Sequence, residues 1–338
     1  MIEGIVWAVA AGVMLGLYAL PEKFTKDYKF ENTWSMFFAI ATFIIPVIVA
    51  LSLIKGYGGV LSGMPADILI KMAITSFLWG IGVMLWGKAI NHIGLSLGFS
   101  LFIGSLILIG SLLPFIVDGV PPKNAFLTIM GGILVVLVGI FANGKAGMQR
   151  QKDEGAMDEQ QEGKGSMGMG ILIAVIGGVL ATGFSFANAV GRPLLHEGCQ
   201  AAGNPEWVTA LAVMVIIYIV GGVPIAAYFI WQLSKKSYWG NFRTSYLGRN
   251  LTLTTVMAIL NFAASATFAF AAFKLGRTGN TVGYAIFNTM SIVVAIVSGL
   301  ITREWVNASA RAKSFLYLGL GCMVVGVVVI AIGNSLAA

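Results

Sequence analysis

Residues 279–292 read GNTVGYAIFNTMSI, and how that stretch is read decides the fold. On a helix Thr281, Tyr284, Asn288 and Ser291 recur at spacings of three and four, so they share one face. The stretch lies in an apolar run over 280–300, about the 20 residues that a bilayer core requires. A related stretch stands earlier in the chain. Residues 94–107 read GLSLGFSLFIGSLI, and an offset of 185 pairs Gly94 with Gly279, Ser96 with Thr281 and Gly98 with Gly283. The same offset pairs Phe99 with Tyr284 and Phe102 with Phe287. The remaining elements can be placed around these two helices.

Hydrophobic residues make up 58% of the 338 and charged residues 10%, with a mean hydropathy of +0.88. That is the composition of an integral membrane protein and not of a soluble domain. The net charge of +7 sits in loops at the membrane surface, where topology accounts for it, so no nucleic-acid partner follows. Cys199, expected in a loop, and Cys322, expected in a helix, form no disulfide framework and read as ordinary thiols. A cleavable signal peptide is not expected, because Lys23, Lys26 and Lys29 follow the first apolar run instead of preceding it.

Apolar runs of membrane-spanning length predict ten helices, over 2–20, 33–54, 67–90, 94–117, 125–142, 169–190, 206–231, 251–273, 280–300 and 314–333. Residues 143–168 are charged, rich in Gly, Gln and Met, and read as a mobile linker. They divide the chain into a first unit, 1–142, and a second, 169–338, of five helices each. Ala8, Val9, Gly12 and Val13 match Ala174, Val175, Gly178 and Val179 at an offset of 166. Pro46 and Pro224 each interrupt the second helix of a half, and Gly131 and Gly321 fall in the fifth. An odd number of helices per repeat makes the copies run oppositely through the membrane, an inverted repeat. Fifteen of the 21 lysines and arginines fall on the linker's side, which puts that side in the cytoplasm and both termini outside.

Polar groups within membrane helices are expensive unless they meet a partner or water, which makes them candidate site residues. Asn288 and Thr289 in the ninth helix, Asn261 and Ser265 in the eighth, and Thr182 and Ser185 in the sixth lie near mid-helix. Ser100 and Ser105 in the fourth also suit close helix packing. Trp79, Trp86 and Tyr284 are rings able to stack on the apolar face of a sugar, with an interfacial role the competing reading for Trp86. All 14 acidic residues lie at helix ends or in loops, so no carboxylate is expected mid-membrane. The adjacent pair His196 and Glu197 is a candidate proton site or a solvated helix end; Asp67, Asp118 and His92 are the other titratable candidates. Two histidines supply no metal cluster of the usual spacings, and neither a nucleophile elbow nor a phosphate loop is present. No enzyme and no cofactor is implied.

At several places the chain resembles the bacterial rhamnose–proton symporters of the drug/metabolite transporter superfamily. They are ENTWS at 31–35, WGIG at 79–82, RPLLHE at 192–197 and REW at 303–305, in order along almost the whole length. The resemblance implies ten helices in two inverted halves and a cavity lined by helices one, three, four, six, eight and nine. It also implies import of a deoxy-sugar driven by protons across the bacterial inner membrane. One position set departs: where the family pattern has two asparagines after Gly82, this chain has Val83 and Leu85. The expectation is an all-α polytopic carrier, with a small sugar, protons and membrane lipid as partners. Its oligomeric state, a homodimer included, stays open. A carrier of another small metabolite and a non-transporting membrane receptor are the alternative readings.

Overall fold

Inside hydrocarbon every backbone N–H and C=O must be satisfied within the chain, which leaves an apolar sequence of this kind only helices or a closed barrel. The computed structural model, which describes residues 2–93, 95–113, 115–153, 167–303 and 305–337, is helical throughout and has no strand among the described residues. The first half comprises α1 (Ile2–Leu17), α2 (Phe30–Ala39), α3 (Ile45–Ser52), the short α4 (Tyr57–Ser62), α5 (Ala66–Ile93), α6 (Leu95–Leu112), α7 (Phe115–Asp118) and α8 (Lys123–Asp153). The second comprises α9 (Met167–Ala181), α10 (Gly183–Ala201), α11 (Val208–Lys235), α12 (Leu247–Lys274), α13 (Gly279–Ile301) and α14 (Ala310–Ser335). Among the described residues nine helical segments are long and apolar enough to cross a membrane, and Ser100–Leu112 adds a shorter apolar one. The protein is an all-α polytopic membrane protein.

Several boundaries differ from those expected, for identifiable reasons. The second span is α2 and α3 joined through a π-helical turn, Ile40–Ile44, with Pro46 in the first turn of α3. Proline cannot donate to the preceding turn, and the wider turn accommodates it. Pro224, by contrast, lies inside a continuous α11. The fifth helix runs eleven residues past 142, to Asp153, through helix-favouring Lys, Ala, Met, Gln and Arg. Hydrogen bonds from Ser309 and Gln149 anchor Asp153 and hold its carboxyl below the usual range. The expected linker is therefore helical over 143–153 and again from Met167, while 154–166 lie outside the described residues. The sixth span also continues past 190, as α10, through Pro193 to Ala201. That places Cys199 on a helix, buried and free, and not in a loop; Cys322 is free on α14.

The halves interlock by exchange. α1 packs along α12 and α13, and α9 packs along α5 and α6. At Gly12 an added Cβ would stand 2.9 Å from the Phe287 carbonyl, and at Gly178 it would stand 2.5 Å from the Phe102 carbonyl. Gly12 and Gly178 are the pair matched at the offset of 166, and Phe102 and Phe287 the pair matched at 185. Gly94 and the side chains of Ser96 and Phe99 lie outside the described residues. At one membrane end Asn250 accepts from the Lys26 N–H and donates to the Lys26 carbonyl; at the other Asn204 does the same with Lys55.

α8 and α14 form an extensive seam in which Gly132 meets the Gly326 carbonyl and Gly139 the Gly319 carbonyl, an antiparallel order. Small residues allow this approach where no hydrophobic force draws helices together. The recurring Gly131 and Gly321 face open space instead. Gly132→Leu should therefore force the seam apart and destabilise the protein by about 1–3 kcal/mol, read as a lower melting temperature in detergent. Gly131→Leu should leave the melting temperature unchanged.

Candidate functional site

Tyr218, in the middle of α11, is 1% exposed and needs a partner for its hydroxyl in an apolar interior. It donates toward Asn261 Oδ1 at 2.8 Å and the Asn261 carbonyl at 3.1 Å, and Ser265 Oγ lies 2.6 Å away. With one proton on the phenol, Ser265 is then the donor to Tyr218. α12 presents Asn261 and Ser265 one turn apart, which is why a single phenol reaches both. Both were expected at the site, whereas Tyr218 was not. A tyrosine within an apolar span was the signal that would have found it.

From Tyr218 a set of rings crosses the protein. Trp79 of α5 lies 5.4 Å from Tyr218 and 5.6 Å from Phe184 of α10. Phe184 lies 5.7 Å from Phe268 and 6.4 Å from Tyr284, and Phe268 stacks on Phe287 at 5.1 Å. Five helices thus contribute rings to one aromatic cluster, Trp79 and Tyr284 among them. Phe184 and Phe268 are additions that helical periodicity does not distinguish from ordinary core. Tyr284 also lies against Gly110, where an added Cβ would stand 2.4 Å from its ring.

α13 is buried on every side from Gly279 to Thr289, with Thr281, Tyr284, Asn288 and Thr289 included, while Ser291 is half-buried. Asn288 Nδ2 donates to the Tyr284 carbonyl at 2.9 Å, and Ser291 Oγ donates to the Asn288 carbonyl. Thr281 and Thr289 are the exceptions: among the described residues their buried hydroxyls meet no hydrogen-bond partner. A threonine in a helix ordinarily bonds the carbonyl a turn back, so these two hydroxyls are available to something else. At the N-terminal end of α13, Asn188 of α10 donates to Asn280 at 2.7 Å.

The other candidates are more dispersed. Ser185 donates to the Gly110 carbonyl at 3.1 Å and tethers α10 to α6. Thr182 sits at the break between α9 and α10 and bonds the Val179 carbonyl. Ser100 is half-buried on α6, Ser105 packs against Gly178, and Trp86 packs on Phe102 at 6.0 Å. His196 meets Thr209 at 3.1 Å and the Phe273 ring at 4.9 Å, while the next residue, Glu197, is exposed beside α4. The structure therefore turns the two members of that pair to different surroundings. Asp67 is an exposed partner of Lys71, His92 bonds the Lys88 carbonyl, and the Asp118 side chain lies outside the described residues. Leu85 packs against Gly177 of α9 and Val83 against the apolar core, so both departures from the family pattern serve helix contacts here.

A bundle of this kind, with a polar and aromatic site at its centre, is that of a multi-pass membrane carrier. Residues 1–338 match the family described as L-rhamnose-proton symport protein (RhaT). An L-rhamnose-proton symporter of Escherichia coli is 23% identical over 342 residues, covering 98% of each chain. One from Citrobacter koseri is 23% identical over 344 residues, covering 99% of this chain and 98% of its own. The chain belongs to the L-rhamnose-proton symport protein family, a family of transporters and not of enzymes.

Removing the hydroxyl that joins α11 to α12 tests the energetics of the cluster. Tyr218→Phe leaves Asn261 and Ser265 without it and should destabilise the protein by about 1–3 kcal/mol, measured by thermal unfolding in detergent.

Proposed function

We propose that this chain is a secondary active transporter of the bacterial cytoplasmic membrane that carries an L-rhamnose-like deoxy-sugar together with protons. The observation that carries the reading is the family match over residues 1–338. The central chamber supports it chemically. A deoxy-sugar has one edge of hydroxyls and an apolar face with a methyl group. Asn288, Thr289, Asn261 and Ser265 offer amide and hydroxyl groups for the edge, and Trp79 and Tyr284 offer rings for the face. Ser100, Thr182 and Ser185 belong to the same proposed site, on the helices that pack around it. Thr281 joins them, on the strength of its buried, unmatched hydroxyl.

Transport in this reading is alternating access, with units 1–142 and 169–338 as inverted repeats rocking around the chamber. The exchanged packing of α1 and α9 supports that relation. The basic residues on the side of α8's C-terminal end support placing 143–168 in the cytoplasm and both termini outside.

Vesicles containing the protein should accumulate labelled L-rhamnose when an inward proton gradient is imposed, and should lose it when a protonophore is added. Uptake that ignores the gradient would sink the symport reading, and uptake of other solutes only would sink the sugar. Asn288→Ala should weaken sugar binding several-fold, since one hydrogen bond to a neutral group is worth on the order of 1 kcal/mol. Unchanged affinity in a well-expressed variant removes Asn288 from the site. For orientation, a cysteine at Ala337 should react with an impermeant reagent outside the cell and one at Lys152 should not; the opposite pattern reverses the topology.

A further inference from the structure

One half-buried carboxylate lies just beyond the end of the helix that crosses α13. Glu22 sits in the 3-10 turn Leu20–Phe24 that follows α1, and its Oε1 accepts a 2.6 Å hydrogen bond from the Trp34 indole N–H of α2. Tyr18, just past α1, lies edge-on to the same Trp34 ring at 6.1 Å. α1 packs along α12, which carries Asn261 and Ser265, the partners of Tyr218. Glu22, just beyond the end of α1, is thus tied through helix packing to the elements that carry the proposed sugar site. We propose that Glu22 is the group whose protonation couples protons to sugar movement, an assignment that rests on reading the chain as a proton-coupled sugar carrier.

The surroundings suit a group that changes charge. The Trp34 bond persists whether the carboxyl is ionised or neutral, so Glu22 keeps its place through a titration. Neighbouring charges are engaged with other groups. Arg249 Nε of α12 donates to the Phe24 carbonyl, Lys26 lies over the Tyr246 ring, and Asp27 accepts from Thr244. Lys236, after α11, pairs with Glu31 of α2, and Lys23 is exposed. Among the described ion pairs none fixes Glu22 as an anion.

α1 supplies the mechanical link. Gly12 and Gly16 hold it at backbone distance from the Phe287 and Ser291 carbonyls of α13, so displacement of Glu22 moves the helix that carries Asn288 and Thr289. A proton from water forms an O–H bond at the Glu22 carboxylate and cancels its charge. The neutral group can then enter a drier setting as the halves rock, a step that costs the anion far more. On the other side the O–H bond breaks and the proton returns to water.

Glu22→Gln tests this, because glutamine still accepts from Trp34 but cannot titrate. In vesicles of the full chain, the parent should accumulate labelled L-rhamnose on an imposed proton gradient. Glu22→Gln should lose that accumulation while still exchanging sugar across equilibrated membranes, and His196→Gln should keep accumulating. A Glu22→Gln carrier that accumulates as the parent does overturns the assignment, as does loss of gradient-driven accumulation in His196→Gln alone. Infrared titration of the reconstituted protein without sugar gives a second readout. The parent should show a protonated-carboxyl band that disappears in Glu22→Gln, and identical titrations of the two overturn the assignment. If the band disappears but the parent ignores L-rhamnose, the substrate reading fails while Glu22 stands as the titrating carboxyl.

Discussion

The contact on which the rest depends is the crossing of α1 over α13 and of α9 over α6. Gly12 and Gly178 let backbone meet backbone there, at a distance that a side chain would prevent. In lipid the gain from such crossings is van der Waals contact and not expulsion of water, so small residues carry it. Each crossing ties the first helix of one half to the fourth of the other. The polar and aromatic side chains of α5, α10, α11, α12 and α13 are thereby gathered into one interior.

That interior reconciles two opposing demands. Polar side chains in a membrane protein must be matched, yet a site for a hydroxylated solute must keep some of them available. The chain divides the tasks. Tyr218, Asn261 and Ser265 satisfy one another, and Asn288 is held by its own helix. Thr281 and Thr289 keep buried hydroxyls without a partner among the described residues. Between these groups stand Trp79, Phe184, Phe268 and Tyr284, whose faces are apolar. The proposed substrate, a sugar with a polar edge and an apolar face, matches that division.

Much of this was legible in one dimension. Hydrophobic run length determines that the chain is a helical membrane protein, because a bilayer sets a minimum span and admits little else from such sequences. Spacing determines that Thr281, Tyr284 and Asn288 share a face, because helical pitch is local. The glycines matched at the offset of 166 lie at equivalent crossings, while Gly131 and Gly321, equally regular in sequence, face open space. Recurrence alone does not separate a packing glycine from an idle one.

What only the tertiary structure decided is which side chains meet. Tyr218 and Asn261 are 43 residues apart, and nothing in either helix specifies the other's rotation about its axis. His196 and Glu197, neighbours in sequence, diverge because successive residues on a helix point about 100° apart. Glu22, just beyond the end of the first helix, reads as one more loop acid until Trp34 is seen to bind it and α1 to cross α13. Helix formation is governed by each segment's own composition. The chemistry of the site depends on how helices pack, and packing is decided by surfaces far apart in the chain.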